Sequence, residues 1–520
     1  MQAEQSGYTC EGARVDEANG LSMNSQRAVD PVQRNLALLV AACFFMEMLD
    51  GTIVTTSAPR IAHALHVPAG SVSVVITAYL VTLAALIPFG GWLSSRFGAR
   101  RIFLCAIGLF TLSSLGCALS QSLGELVGWR VLQGAGGAMM VPVGRLVVLS
   151  RTEKRDLMRI TAYLVWPGLV APVLAPLLGG LLTTYASWHW IFLVNLPLGA
   201  IAFTVAARIV PAPLRDRARS LDVAGVILLC GGLATATVTA AMLSKTSPAW
   251  ALDAAFGVPS LLLLGLAARH LLRTKRPLID LRTLRIPTLR TAVTGSLIYF
   301  AVMGAGPFLA PLMFEQAFRW GAVKSGALVL FIFTGNIGIK PATTYLYQRF
   351  GFRNTLVTST ATMAACMAAI AFTRTGTPIF VIALLLLISG VARSVGATGY
   401  TTVGFTEVPA EQMADANTLL STAQQLSAGF GVAGGALALR IGEPLARNLA
   451  EAGALDGGSV PPPRTWDSAS LAGITFAPGP AGANPACVGA GAPAPNSVLH
   501  PAPGSTGGRC VGVEYSMGCG

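Results

Sequence analysis

Apolar residues run through this sequence in stretches about as long as a bilayer is thick. Between residues 36 and 441, segments of about 20 residues with few charges alternate with short polar loops, and ~20 residues is the length of helix that crosses a ~30 Å hydrocarbon core. The pattern predicts spanning helices at 36–58, 71–91, 102–122, 124–148, 160–184, 188–209, 221–243, 250–270, 291–314, 322–346, 354–373, 377–402 and 417–441. The expected class is an all-α polytopic membrane protein with thirteen spans.

Composition sharpens this reading. Of 520 residues, 53% are hydrophobic and 11% charged, against ~25% charged in soluble domains, so a water-soluble enzyme is excluded. The net charge of +13 would suggest nucleic acid in a soluble protein, but in a membrane protein it is read loop by loop. Loops after helices 2, 4, 6, 8 and 10 hold most of the cations, among them Arg96, Arg100, Arg101, Arg151, Lys154, Arg155, Arg159, Arg215, Arg217, Arg219, Arg273, Lys275, Arg276, Arg282, Arg285, Arg349 and Arg353. The opposite loops carry few, chiefly Arg60, Lys245, Arg319, Lys324 and Arg374. Loop charge therefore places the N-terminus in the cytoplasm, with the bilayer as partner and no nucleic acid. Nine cysteines are scattered singly, without metal spacing. The first ~34 residues contain Glu4, Glu11, Asp16 and Glu17 and lack an apolar core, so no cleavable signal peptide is expected.

An internal repeat divides the chain. Arg96-Phe97-Gly98-Ala99-Arg100 recurs as Arg349-Phe350-Gly351-Phe352-Arg353, 253 residues later, each copy in a short loop between spans. Duplicated halves of a transporter predict this. The resulting division is a cytoplasmic tail over 1–35, a six-helix bundle over 36–209, a two-helix insertion and linker over 210–290, a second bundle over 291–445, and a tail over 446–520. That last tail, with Pro461-Pro462-Pro463 and Pro478-Gly479-Pro480, is too poor in apolar runs to fold and is expected to be disordered. It looks like a GC-rich frame translated out of phase, the product of a frameshift near residue 450. A start at Met23 is the corresponding expectation at the other end.

Charges inside spans cost about 2.5–3.5 kcal/mol each on insertion scales and are functional candidates for that reason. Glu47 and Asp50 are three residues apart on helix 1 and share a face. Buried carboxyls one turn apart meet the conditions for exchanging a proton near neutral pH; the alternative is a structural pair. Arg130 on helix 4 needs an anionic partner, and helix 1 offers the nearest. Arg393 in helix 12 and Lys340 near the end of helix 10 are further intramembrane charges, Lys340 being able to snorkel to the interface. Helix 5 carries Pro167-Gly168, Pro172, Pro176 and Gly179-Gly180, which suit a hinge or a tight seam between halves as well as ordinary packing.

These residues fall in motifs that resemble the major facilitator superfamily, specifically its fourteen-helix drug:proton antiporters. Gly91-Trp92-Leu93-Ser94-Ser95-Arg96-Phe97-Gly98-Ala99-Arg100-Arg101 is similar to the loop signature G-x-L-x-D-R-x-G-R-R, and Leu49-Asp50-Gly51-Thr52-Ile53-Val54 to the helix 1 signature. Arg130 through Gly136, with Gln133 and Gly134, resembles R-x-x-Q-G-x-G. Gly168 with Ala175-Pro176-Leu177-Leu178-Gly179-Gly180 resembles the antiporter signature, and Trp188 through Gly199 the group's W-R-W-I-F-x-I-N-x-P-x-G. The resemblance implies alternating access between two six-helix bundles, with protons driving export of small molecules and no cofactor beyond the proton gradient. It implies Asp50 as the membrane carboxylate, with Glu47 beside it, Arg130 as the arginine linked to proton transfer, and Gly168, Pro172, Pro176, Gly179 and Gly180 as the antiporter seam.

Three positions depart from the pattern. The loop signature's Asp is Ser95, the Gly before Pro176 is Ala175, and the fourteenth helix is missing. The expected function is a bacterial inner-membrane exporter of drugs or other amphipathic molecules, with a periplasmic adaptor as an open partner. A dedicated metabolite exporter and a transport-inactive truncated paralogue are the alternatives. No P-loop, nucleophile elbow or clustered His/Asp points to a pump or an enzyme.

Overall fold

The computed structural model describes residues 30–211, 220–243 and 250–451. Among these residues the regular structure is entirely helical. Thirteen helices follow in order: α1 Pro31–Ala64, α2 Ser73–Phe97, α3 Ala99–Leu119, α4 Leu123–Leu149, α5 Leu157–Tyr185, α6 Trp190–Ile209, α7 Val223–Leu243, α8 Trp250–Arg273, α9 Pro287–Leu312, α10 Ala322–Gly338, α11 Lys340–Ala371, α12 Ile379–Val403 and α13 Met413–Glu451. Helix α1 starts five residues before the predicted 36 because the Asp30 carboxylate accepts from the Val32 N–H and Pro31 occupies the first turn, where no N–H is needed. Helix α13 runs to Glu451, so residues 446–451 of the expected disordered tail are helical. The remainder of that tail, Met23, Arg215, Arg217, Arg219, Lys245 and the cysteines of both tails lie outside the described residues.

Eleven helices among the described residues are long and apolar enough to span a bilayer, where the hydrophobic pattern predicts thirteen. Both that fall short lie in the second half: 322–346, and 417–441, which forms part of α13 without appearing among the spans long and apolar enough. The predicted span 322–346 is broken at Ile339, since Pro341 lacks an N–H and begins a new helix; the apolar stretch that remains, Lys324–Gly338, is short. Helix α11 then turns back on itself at Gly351, whose φ of 75° only glycine adopts without strain. Gly98, its counterpart in the repeat, has φ 92°. Both copies of the repeated loop thus reverse the chain through a left-handed glycine.

At the end of the molecule carrying the Arg-rich loops, the two halves share one apolar core. Leu36 and Val40 of α1, Phe103 of α3 and Val147 of α4 join Leu289 and Ala292 of α9 and Ala416 and Leu420 of α13. At the other end the cores separate. Leu49, Ile53, Ala171, Ala175 and Phe192 cluster within the first half, and Phe314, Leu328, Ile332, Ile382 and Leu386 within the second. The bundles are therefore closed at the Arg-rich end and individually packed at the opposite one.

Helices α7 and α8 pack on each other and on α2 through Leu229, Leu233, Leu271 and Trp92. Asp222 ties this pair together: its carboxylate accepts from Gly225 N–H at 2.9 Å and Leu278 N–H at 3.2 Å, and lies 2.7 Å from His270 Nε2. Partial burial pushes the Asp222 carboxyl up, but these donors outweigh it and hold the group below the ordinary aspartate value. A depressed folded-state value stabilises at pH above ~4 and is lost as pH falls through it. Asp222→Asn is expected to cost about 1–3 kcal/mol at pH 7. A thermal melt series should show variant and wild type converging below about pH 4; a constant gap across pH would contradict this.

Candidate functional site

A polar cluster lies deep in the first half, where α1, α3, α4 and α6 meet. Asp50 and Arg130 form an ion pair whose side chains are both 0% exposed. Gln133 Nε2 donates to Asp50 Oδ1 at 3.0 Å and to Ser114 Oγ at 2.7 Å, while its Oε1 accepts from Arg130 at 2.8 Å. Asn195 Nδ2 adds a third donor to Asp50, at 2.9 Å. Arg130 also stacks on Tyr79, with its guanidinium carbon 4.1 Å from the ring centre, a contact that strengthens when desolvated. Its Nε and Nη2 have no acceptor.

Local sequence explains the assembly. Arg130 and Gln133 are three residues apart on α4 and share a face. The glycines that follow let neighbouring backbones close in: a Cβ on Gly134 would lie 2.8 Å from the Tyr79 carbonyl oxygen on α2, and one on Gly136 2.8 Å from the Phe110 nitrogen on α3. Gly137 faces both the Tyr79 hydroxyl and the Glu47 carboxylate. Glu47 is 5% exposed, and its Oε2, like the Tyr79 hydroxyl, lacks a hydrogen-bond partner. So Glu47 and Asp50 share a helix face as predicted, but only Asp50 joins the ion pair.

A model of the Major Facilitator Superfamily matches residues 40–432. The chain belongs to this superfamily. It is 35% identical over 406 residues to the putative multidrug resistance protein MdtD of Serratia proteamaculans, covering 76% of this chain and 82% of that one. With the Cronobacter sakazakii protein of the same name it shares 37% identity over 398 residues, covering 76% and 83%. In fold it resembles the crystal structure of the human organic anion transporter MFSD10 (TETRAN), with a TM-score of 0.57 at 16% identity over 79% of this chain and 94% of that one. Its multi-span, membrane-embedded architecture is that of these transporters.

Other predicted residues of this superfamily member fall in three places. In the α2–α3 loop, the Ser95 hydroxyl donates to the Gly91 and Trp92 carbonyls of its own helix, at 3.0 and 3.1 Å. Arg100 donates to the Ala207 carbonyl of α6, Arg101 is exposed, and Arg96 follows Ser95 in the last turn of α2. Gly91 packs on Thr418 of α13, whose hydroxyl would lie 2.3 Å from an added Cβ, so this loop signature begins at a contact between the two halves.

On α5, Gly168 packs on the Phe44 ring and Gly179 on Ile53 and Thr56, all from α1. The two glycines thus close on α1 of the same bundle, while α5 also borders α10, α11 and α12 of the second half. Pro172 is half-buried, and Pro176 and Gly180 are exposed. In the second half, Lys340 does not snorkel: it is 5% exposed, and Nζ donates to Thr398 Oγ1 at 2.7 Å. The helix break at Ile339 places it inside the bundle. Arg393, 4% exposed, donates from Nη2 to the Met303 carbonyl.

Sequence reasoning missed Asn195, Ser114, Tyr79, Arg145 and Gln424. Asn195 was legible as a lone amide in an apolar segment. The charge of Arg145 of α4 acts on Glu47, and Arg145 reaches Gln424 of α13 at 3.4 Å, while Asn417 of α13 donates to the Pro142 carbonyl at 2.9 Å. Backbone approach at Gly136 yields a test: Gly136→Ala should destabilise the purified protein by about 1–3 kcal/mol, whereas Gly180→Ala, with nothing within 4 Å, should not. Equal melting temperatures for the two variants would refute the packing account.

Proposed function

We propose that this chain is a secondary active exporter of the bacterial inner membrane. It exchanges drugs or other amphipathic small molecules for protons by alternating access, with its N-terminus in the cytoplasm. The observation that carries the reading is the fully buried Asp50–Arg130 pair with its amide donors. Protonating Asp50 removes the charge that Arg130 pairs with and frees a guanidinium that has N–H groups to spare, a change large enough to reset helix contacts between α1 and α4. Glu47, beside Arg145 and without a donor on Oε2, is the second proton-handling group. The Arg145–Gln424 and Asn417–Pro142 bonds join α4 to α13 and so to the opposite bundle.

The names of the relatives, multidrug resistance proteins, support the substrate side of this reading. The orientation of the Arg-rich loops supports the topology, and with it the shared core of the two halves falls on the cytoplasmic side, an outward-facing arrangement. Inward proton movement supplies about 2.3 kcal/mol per charge per 100 mV, enough to drive export without ATP. Dye efflux from energised cells tests the reading. Wild type should extrude dye and stop when the proton gradient is collapsed, and Asp50→Asn should lose at least about tenfold in rate, near 1.4 kcal/mol of coupling. Equal efflux from both would remove Asp50 from the mechanism, and no efflux from wild type would favour an inactive chain.

A further inference from the structure

The two halves treat buried charge differently. In the first half, two spanning cations, Arg130 and Arg145, are matched by two spanning carboxylates, Asp50 and Glu47. In the second half, Lys340 and Arg393 are buried to the same degree, and among the described residues no carboxylate lies against either. Lys340 has a threonine hydroxyl and Arg393 a single backbone carbonyl; Arg393 Nε and Nη1 are left without acceptors. An unpaired buried cation is costly, and neither side chain escapes to an interface. Arg393 is the fifteenth of the 25 residues of α12, about 20 Å from its start, too deep for a lipid headgroup.

We infer that Arg393, with Lys340 of α11 held against the same helix by Thr398 as a second cation, anchors an anionic group of the transported molecule, a carboxylate or similar oxyanion on an aromatic body. This rests on the transport reading and narrows its substrate class. Thr398, which holds Lys340, follows Arg393 by five residues, about 7.5 Å along α12, a spacing within reach of one small molecule. Cover over Arg393 is thin: an added Cβ on Gly306 of α9 would lie 3.0 Å from Nη1, and the Met367 thioether sits beside the same point. A glycine and a flexible thioether yield easily to a ligand. Aromatic rings stand beside this point for an aromatic body to pack against, Tyr299 and Tyr400 being in contact with ring centres 5.1 Å apart. Tyr299 also donates to the Ala392 and Arg393 carbonyls, fixing the α12 backbone at this point. With a fixed positive charge here, an anionic group accepts from the two guanidinium nitrogens left without acceptors and supplies the missing counter-charge, whereas a cationic drug would add to the repulsion.

Calorimetric titration of the purified full chain, in detergent and without a proton gradient, tests this with 2-naphthoate and its neutral isostere 2-naphthamide. Naphthoate should bind at least about tenfold more tightly than naphthamide. Arg393→Gln should lose that preference and Arg393→Lys should keep most of it, with Lys340→Met intermediate. The comparison of acid with amide needs only wild type, so a variant that fails to fold leaves the test intact. Equal binding of acid and amide, no saturable naphthoate binding, or full naphthoate affinity in folded Arg393→Gln would overturn the proposal. So would displacement of naphthoate by added phosphatidylglycerol, which would assign the site to a lipid. A failure here with gradient-driven dye efflux intact removes the anion site alone; loss of that efflux with naphthoate binding intact removes the antiport reading alone.

Discussion

Everything in this molecule is arranged around the cost of keeping charge inside hydrocarbon. The Asp50–Arg130 pair is affordable only because each partner supplies the other's counter-charge and because Gln133 and Asn195 satisfy the remaining carboxylate oxygen. Those amides can reach it only because α3, α4 and α6 converge on α1. The packing of α4 depends in turn on Gly134 and Gly136, where the backbones of α2 and α3 come within a distance that any Cβ would violate. Remove the ion pair and the polar cluster has no reason to lie in the bundle. Packing and electrostatics are one constraint here.

The same constraint relates the two halves. Their repeated loops both reverse the chain at a left-handed glycine, Gly98 and Gly351, and their helices follow one plan. Yet the first half balances its spanning charges internally, and the second leaves Arg393 and Lys340 to hydroxyl and carbonyl oxygens. Under the proposed alternating access this division is useful. A balanced half can change its charge state by proton exchange, and an unbalanced half can take its missing charge from a ligand. Arg145, reaching from α4 to Gln424 of α13, is a polar contact that joins the two halves.

Much of this was legible in the sequence, for physical reasons. Helix positions followed from apolar length, since a bilayer of fixed thickness leaves little freedom. The ion pair was legible because a guanidinium within a span must find an anion, and α1 held the nearest carboxyls. What escaped depended on local geometry. Pro341 breaks the tenth span, and that break turns Lys340 from an interfacial residue into a buried one. The small residues of α5 announce close contact without naming the partner; Gly168 and Gly179 meet Phe44, Ile53 and Thr56 of α1. Neutral members of the cluster, Ser114 and Tyr79, carry no signal against an apolar background, because hydroxyls are common in spans and are usually satisfied by their own helix.

The central claim is that Asp50 is the carboxyl group that takes up and releases the proton. Infrared difference spectroscopy of the full chain in lipid, recorded as pH is lowered, reads this directly through the carbonyl band of a protonated carboxylic acid. Wild type and Glu47→Gln should share an acid-induced component that is lost in Asp50→Asn, where only the bands of Glu47 and the exposed carboxyls remain. A spectrum in which Asp50→Asn loses no component, and the buried-acid band vanishes only in Glu47→Gln, would contradict this claim and would make the Asp50–Arg130 pair a fixed brace between helices.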